Sequence, residues 1–256
     1  MRRMRAFLKR HKFREYAIQL LIVVLGVFIG IQASNWNQQR ATDKAAADFT
    51  DRLVADLRAE MRAYELYVDY NQDVLANAYQ AVGALEGRAD LSDEALLVAA
   101  YRATQYIQAP SRRATYDELI STGNIGLIRD QLLRETALTI YNRSAVSDLV
   151  NEGKGSLYRQ AFRMSVMNDM QRTLGLKCGD RTVKTDGNKV VNVFLEDDCA
   201  TGLSKETIAQ AAEALRSNPE LKPLLRMRIS DLETRLTDLA TNRLEILGGL
   251  PASKQR

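Results

Sequence analysis

The 256-residue sequence predicts a mainly α protein, in which an N-terminal transmembrane helix continues into a long-helix periplasmic bundle carrying one small disulfide-closed β-hairpin. Three observations predict it. An unbroken apolar run lies between two aromatic residues near the N-terminus. Beyond it, apolar residues recur at helical spacing in a chain with only four Pro and fourteen Gly, too few breakers for a sheet protein. A single stretch lacks that spacing, and the only two cysteines bracket it. The boundaries that follow are a basic cytoplasmic arm at 1–15, a transmembrane helix at 16–36 and a periplasmic helical domain at 37–256, with the hairpin insert at 178–199.

The charge is distributed as a membrane protein requires. The arm holds seven cations, Arg2, Arg3, Arg5, Lys9, Arg10, Lys12 and Arg14, against Glu15, a net of +6. The other 241 residues hold 29 basic and 31 acidic groups, a net of −2. The formal +4 of the whole chain therefore comes from the arm, and the body offers no basic face for nucleic acid. The apolar run, Ala17 to Ala33, is interrupted by Gln19 and Gln32 near its ends, and Tyr16 and Trp36 flank it as interface anchors. Twenty helical steps between those rings span about 30 Å, the thickness of the hydrocarbon layer. A cleaved signal peptide also starts basic and continues apolar, but no small-x-small site follows the run, which favours a retained signal-anchor. Only Arg40 and Lys44 lie soon after the span, so the positive-inside bias places the N-terminus in the cytoplasm. The arm then serves as orientation signal and meets anionic lipid headgroups. Gly26 and Gly30 form a GxxxG pair, a weak signal for close approach of a second membrane helix.

After Gly30 neither Gly nor Pro recurs until Gly83, and Phe49, Leu53, Leu57, Met61, Tyr64, Val68, Leu75, Tyr79, Val82 and Leu85 fall at helical intervals. The membrane helix is thus expected to run on as one amphipathic helix, or with one kink near 35–42. Ser92 caps the next helix, expected to run to about Gln108 before Pro110. A short helix follows at 113–121, then a longer one from Asp130 that Gly153 and Gly155 kink and that resumes over 156–174. Ser204 caps another ending near Asn218, and Pro219 introduces the last. There Leu225, Ile229, Leu232, Leu236, Leu239 and Ile246 follow 4-3 spacing with Arg243 at one seam position, a pattern that suits antiparallel bundle packing. In the insert, Asp186-Gly187 between β-branched residues marks a hairpin turn. Cys178 and Cys199 at its ends are expected to form a disulfide in an oxidising compartment.

The composition also limits the chemistry. With His11 alone, and that in the arm, Ser/His/Asp and Cys/His catalytic arrangements and His-bearing zinc sites are excluded. No metal, cofactor or catalytic group is expected. The stretch from Thr115 to Asp130 is the least bundle-like helical segment. Asp117, Glu118, Ser121, Thr122 and Asn124 form a possible pocket there, with Arg112, Arg113 or Arg129 as counter-charge. The competing reading makes Gly123 a helix C′ residue and Asp130 an N-cap, and the lack of phosphate-loop or metal spacing favours it. Glu196-Asp-Asp198 reads as a solvated run, and the Asn142-Arg-Ser144 glycosylation spacing is discounted because it falls in a predicted helix.

Two segments carry a resemblance. Leu21-Ile-Val-Val-Leu-Gly-Val-Phe-Ile-Gly-Ile-Gln-Ala-Ser-Asn-Trp-Asn37 and, some eighty residues on, Tyr116-Asp-Glu-Leu-Ile-Ser-Thr-Gly-Asn-Ile-Gly-Leu-Ile128 together resemble an uncharacterised family of small bacterial proteins. That family has an N-terminal anchor ending in a Trp-Asn box and an internal Leu-x-Ser-Thr-Gly segment. The resemblance covers about a fifth of the chain and implies a single-span bacterial membrane protein, without an activity or catalytic residues. The expected function is non-enzymatic. The expected role is an accessory or scaffold subunit of an inner-membrane complex, whose partners are membrane lipids and other subunits, or a second copy, met through the span and stalk. The alternative is a periplasmic small-ligand-binding sensor module that works with a separate transducer. A carboxylate enzyme acting through Asp117 or Glu118 has no supporting spacing.

Overall fold

A computed structural model describes residues 2–185, 189–196 and 199–251, with side chains throughout except at 2–18 and 183–192. The Asp186-Gly187 turn, Asp197, Asp198 and the side chains of Tyr16 and the seven arm cations lie outside the described residues. Helix α1 is one unbroken 84-residue element, Arg2–Leu85, with no break at 35–42. It ends on Gly87, whose φ of +71° lets the chain fold back, so that the Arg88 and Ala89 amides reach the Gly83 carbonyl.

Eight shorter helices and a hairpin pack along the second half of α1. They are α2 (Asp93–Arg102), α3 (Ala114–Ser121), α4 (Gln131–Asn142), α5 (Ala145–Gly155), α6 (Leu157–Ser165), α7 (Asn168–Cys178), β1 (Arg181–Thr185), β2 (Lys189–Phe194), α8 (Lys205–Ser217) and α9 (Leu221–Gly249). The Ser92, Asp130 and Ser204 side chains each accept a backbone N–H in the first turn of α2, α4 and α8. Strands β1 and β2 pair antiparallel with a bulge after Val183. A disulfide joins Cys178 to Cys199 with Cα atoms 5.3 Å apart. Buried Arg102 fastens the base of this insert, donating to the carbonyls of Cys178 and Glu196.

Three expected helices end early, each for a tertiary reason. Helix α2 stops at Arg102 rather than Gln108. Thr104 and Gln105 turn their side chains onto the Tyr101 carbonyl, and the chain then runs extended so that the Tyr67 hydroxyl, from α1, clasps both the N–H and the C=O of Ala109. Helix α4 ends at Asn142 because Arg143 turns extended and reaches Asn242 and Glu245 on α9. The Asn142-Arg-Ser144 triplet therefore straddles a helix end instead of lying within a helix. The interruption that the Gly153/Gly155 pair predicts is present, since α5 ends at Gly155 and Ser156 caps α6, although Gly153 itself does not break α5. It lies inside the helix against Tyr106, whose Cβ would be 2.7 Å from an added methyl group. The helix expected over 156–174 is broken at buried, extended Val166, where Gln171 donates to the Arg163 and Val166 carbonyls.

Helices α1 and α9 run antiparallel as the spine, with Glu65 paired to Arg243, Tyr79 to Glu233 and Glu86 to Arg226. Their seam is more polar than the apolar pattern predicts. On α1 it is Leu53, Leu57, Glu60, Tyr64, Tyr67, Asn71, Val74, Ala78, Ala81 and Leu85, all buried at 4-3 spacing. Met61, Val68 and Leu75 are only half-buried and Tyr79 is exposed. On α9 the seam takes buried Arg228 and Asn242 and half-buried Arg235, and the expected Leu236 and Arg243 lie at its flank. Two clusters fill the bundle. The one nearer the N-terminal half of α1 joins Leu53–Val74 to α3, α4, α5 and Leu232–Ile246 of α9. The farther one joins Ala78–Leu85 to α2, α6, α7, α8 and Leu221–Ile229.

Candidate functional site

Two features stand out. The first is the free part of α1. Every described residue from 19 to 44 is exposed, and Ala46 is the first to be buried. An 18-residue window here has a mean hydropathy of 1.6 and none of it is buried, so the helix is long and apolar enough to cross a membrane. Gly26 and Gly30 sit on this bare stretch with nothing within 4 Å of an added Cβ. Trp36 closes it, with the Arg40 guanidinium 3.7 Å from its ring centroid, an aromatic and cationic pair of the kind that sits at headgroup level. Ala46 is ten residues past Trp36, so the bundle begins about 15 Å further along the helix.

The second feature is a cleft of about 270 Å³ in the nearer cluster, between α1, the extended segment before α3, and α4 and α5. Helix α1 supplies Glu60, Tyr64 and Tyr67 to it at 4-3 spacing, and α4 supplies Tyr141. Glu60 is only 6% exposed. Its Oε2 accepts from the Ser111 hydroxyl and the Arg112 N–H, which pins the extended segment, and its Oε1 has no hydrogen bond among the described residues. One turn earlier, Asp56 accepts the Thr115 N–H and so caps α3, which lacks a side-chain cap of its own. Burial, and then the Glu60 charge, push the Tyr64 hydroxyl up to about 12, and burial raises Tyr67 and Tyr141 as well. The two arginines at the rim are committed elsewhere, Arg113 to Asp117 and Arg143 to Glu245. The cleft therefore presents a carboxylate oxygen and tyrosine rings, suited to a small polar or cationic guest.

The 115–130 segment does not build this site. Asp117 pairs with Arg113, Glu118 pairs with Arg52 on α1, and the Ser121 and Thr122 hydroxyls both donate to the Glu118 carbonyl. Asn124 donates to the Thr122 hydroxyl, while its N–H reaches the Leu119 carbonyl past Gly123 at φ +70°. That is a helix stop of the Schellman type, and the segment fastens α3 to α1. The Glu60 cleft went unread in the sequence because its walls come from residues eighty positions apart. A glutamate at a seam position, one 4-3 step from Leu57, was the available signal. Comparison with protein families, with curated proteins and with solved structures brings out no match.

Proposed function

We propose that this chain is a single-span bacterial inner-membrane protein, N-terminus in the cytoplasm and bundle in the periplasm, that acts without catalysis through contact with other membrane subunits or a second copy. The observation that carries this reading is the stretch from 19 to 44, apolar over most of its length, exposed throughout and continuous as one helix with the spine of the bundle. In water, so many exposed apolar side chains would be a severe liability; in a bilayer they are matched to their solvent. The +6 arm supports the orientation, and the disulfide suits an oxidising compartment. Cross-linking from a cysteine placed at Gly26 or Gly30, at native expression level in membranes, tests the contact. A discrete cross-linked species, with itself or with another protein, is expected. A wholly monomeric band in membranes and in mild detergent would overturn the proposal.

A second reading, a small-ligand module working with a separate transducer, is supported by the Glu60 cleft. A thermal-shift screen of metabolites on the full-length protein tests it. A hit that Glu60→Gln abolishes while leaving the fold intact is the outcome this reading expects.

A further inference from the structure

We infer that a concavity in the farther half of the bundle, where α6 and α7 meet the end of α2, binds a small dianion of the phosphate type between Arg159, Arg163 and Arg172. The concavity measures about 230 Å³, and those three guanidiniums line it together with Tyr101, Gln105 and Phe162, while no carboxylate does. This site is separate from the Glu60 cleft; only the exclusion of a lipid headgroup below rests on the membrane span proposed above.

The arrangement is costly without a guest. Arg159 and Arg163 stand four residues apart on α6, a spacing at which like charges repel across one helical turn. Burial, followed by the Arg163 charge, holds the Arg159 guanidinium below its ordinary range. Arg163 has no ion pair and no side-chain hydrogen bond among the described residues, and Arg172 meets only Asp169, at 3.8 Å on the exposed surface. The contrast with Arg113, Arg143 and Arg235, each matched to a carboxylate, is direct. Asp180 lies within electrostatic reach of Arg159 but does not line the concavity, and its Oδ1 accepts from the Tyr70 hydroxyl at 2.5 Å.

The arrangement is also preorganised. Arg159 is half-buried and held from two sides, with one amino group donating to the Thr104 carbonyl at 2.7 Å and its guanidinium 5.0 Å from the Tyr106 ring centroid. An anchored guanidinium with two exposed ones at the rim is a clamp for an oxyanion that offers several acceptor oxygens. Phe162 and Tyr101, ring centroids 6.1 Å apart, leave an apolar wall for the organic part of a phosphate monoester. Position argues against a lipid headgroup as the source. Arg159 acts electrostatically on Tyr70, which lies 34 residues beyond Trp36 on α1. That is about 50 Å from the end of the apolar run at helical rise, so the guest is a soluble anion.

Calorimetric titration of the full-length protein in neutral detergent with inorganic phosphate, at ionic strength held constant with chloride, tests the inference. Saturable one-to-one binding is expected. Arg163→Gln should weaken it about tenfold or more, the loss expected for charge-assisted hydrogen bonding to one oxyanion. In chloride alone the same variant should melt no lower than the parent, because it relieves repulsion at an exposed position. Arg172→Gln gives an independent second variant with the same expected direction. Parent protein that shows no saturable phosphate uptake would overturn the inference, and so would variants that bind phosphate as tightly as the parent.

Discussion

The two halves of α1 invert the usual relation between polarity and burial. In the first half Leu21, Val24 and Ile29 are each more than half exposed; in the second, Glu60 and Asn71 are almost completely buried. Both belong to one continuous helix, so the backbone does not account for the difference; the surroundings do. The second half has α9 and the shorter helices laid along it, with Ser111 and Arg112 as partners for Glu60 Oε2 and the Tyr67 carbonyl for the Asn71 amide N–H, while Asn71 Oδ1 has no partner among the described residues. The first half is exposed at every residue from 19 to 44, and among the described residues its one ion pair to the bundle is Asp43 with Arg129. Apolarity alone therefore does not say that a residue is inside a protein. It says that the residue avoids water, and lipid satisfies that as well as a core does.

The same kind of substitution should have opposite consequences in the two halves. Leu57→Ala empties a fully buried seam position and is expected to lower stability to denaturant by about 2–5 kcal/mol, while Leu25→Ala leaves the unfolding midpoint of the bundle unchanged. Equal effects would mean that the free half is packed against protein after all. Next in size, reducing the Cys178–Cys199 disulfide releases a loop spanning 21 positions and should cost about 3 kcal/mol in the chain-entropy model. A midpoint that does not move under reductant would show the insert to be independent of the bundle.

Alkali gives a smaller effect with a defined sign. Tyr64, Tyr67 and Tyr141 have folded-state values above the ordinary 10.0, with Tyr64 at about 12. The folded state holds these protons where the unfolded state has lost them. Their contribution is therefore intact below pH 10 and is lost as the pH rises through the folded-state values, for Tyr64 through about 12. Tyrosinate absorbance should rise together with loss of helix, and early, gradual ionisation of all ten tyrosines would contradict their burial. Smallest of all is Arg129→Ala. It removes an exposed ion pair to Asp43, on the exposed stretch of α1, and should leave the midpoint where it was.

The caps were readable in the sequence because they are local. Ser92, Asp130, Ser204 and Gly123 act on amides or carbonyls within a few residues of themselves. The helical run of α1 was readable because it lacks breakers over fifty residues, whereas its continuity through 35–42 was left open between one helix and a kinked one. The register of its seam was not readable, since a pattern built from apolar residues passes over Glu60, Asn71, Arg228 and Asn242 and settles on neighbours such as Met61 and Val68. Nor were the breaks at Arg143 and Val166, where extended backbone is imposed by contacts made far along the chain. Both concavities failed for the same reason. Their residues carry ordinary charges and rings, and only the packing of distant segments brings them together.

The central claim is that one helix passes from cytoplasm through a bilayer into the spine of an exported bundle. Labelling spheroplasts with a membrane-impermeant maleimide tests it most directly, using single cysteines introduced at Arg5, Leu25 and Ser217 alongside the native disulfide. The account predicts labelling of Ser217→Cys in intact spheroplasts, labelling of Arg5→Cys only after lysis, and protection of Leu25→Cys until detergent is added. Ready labelling of Leu25→Cys in intact spheroplasts, or of Arg5→Cys before lysis, would contradict it.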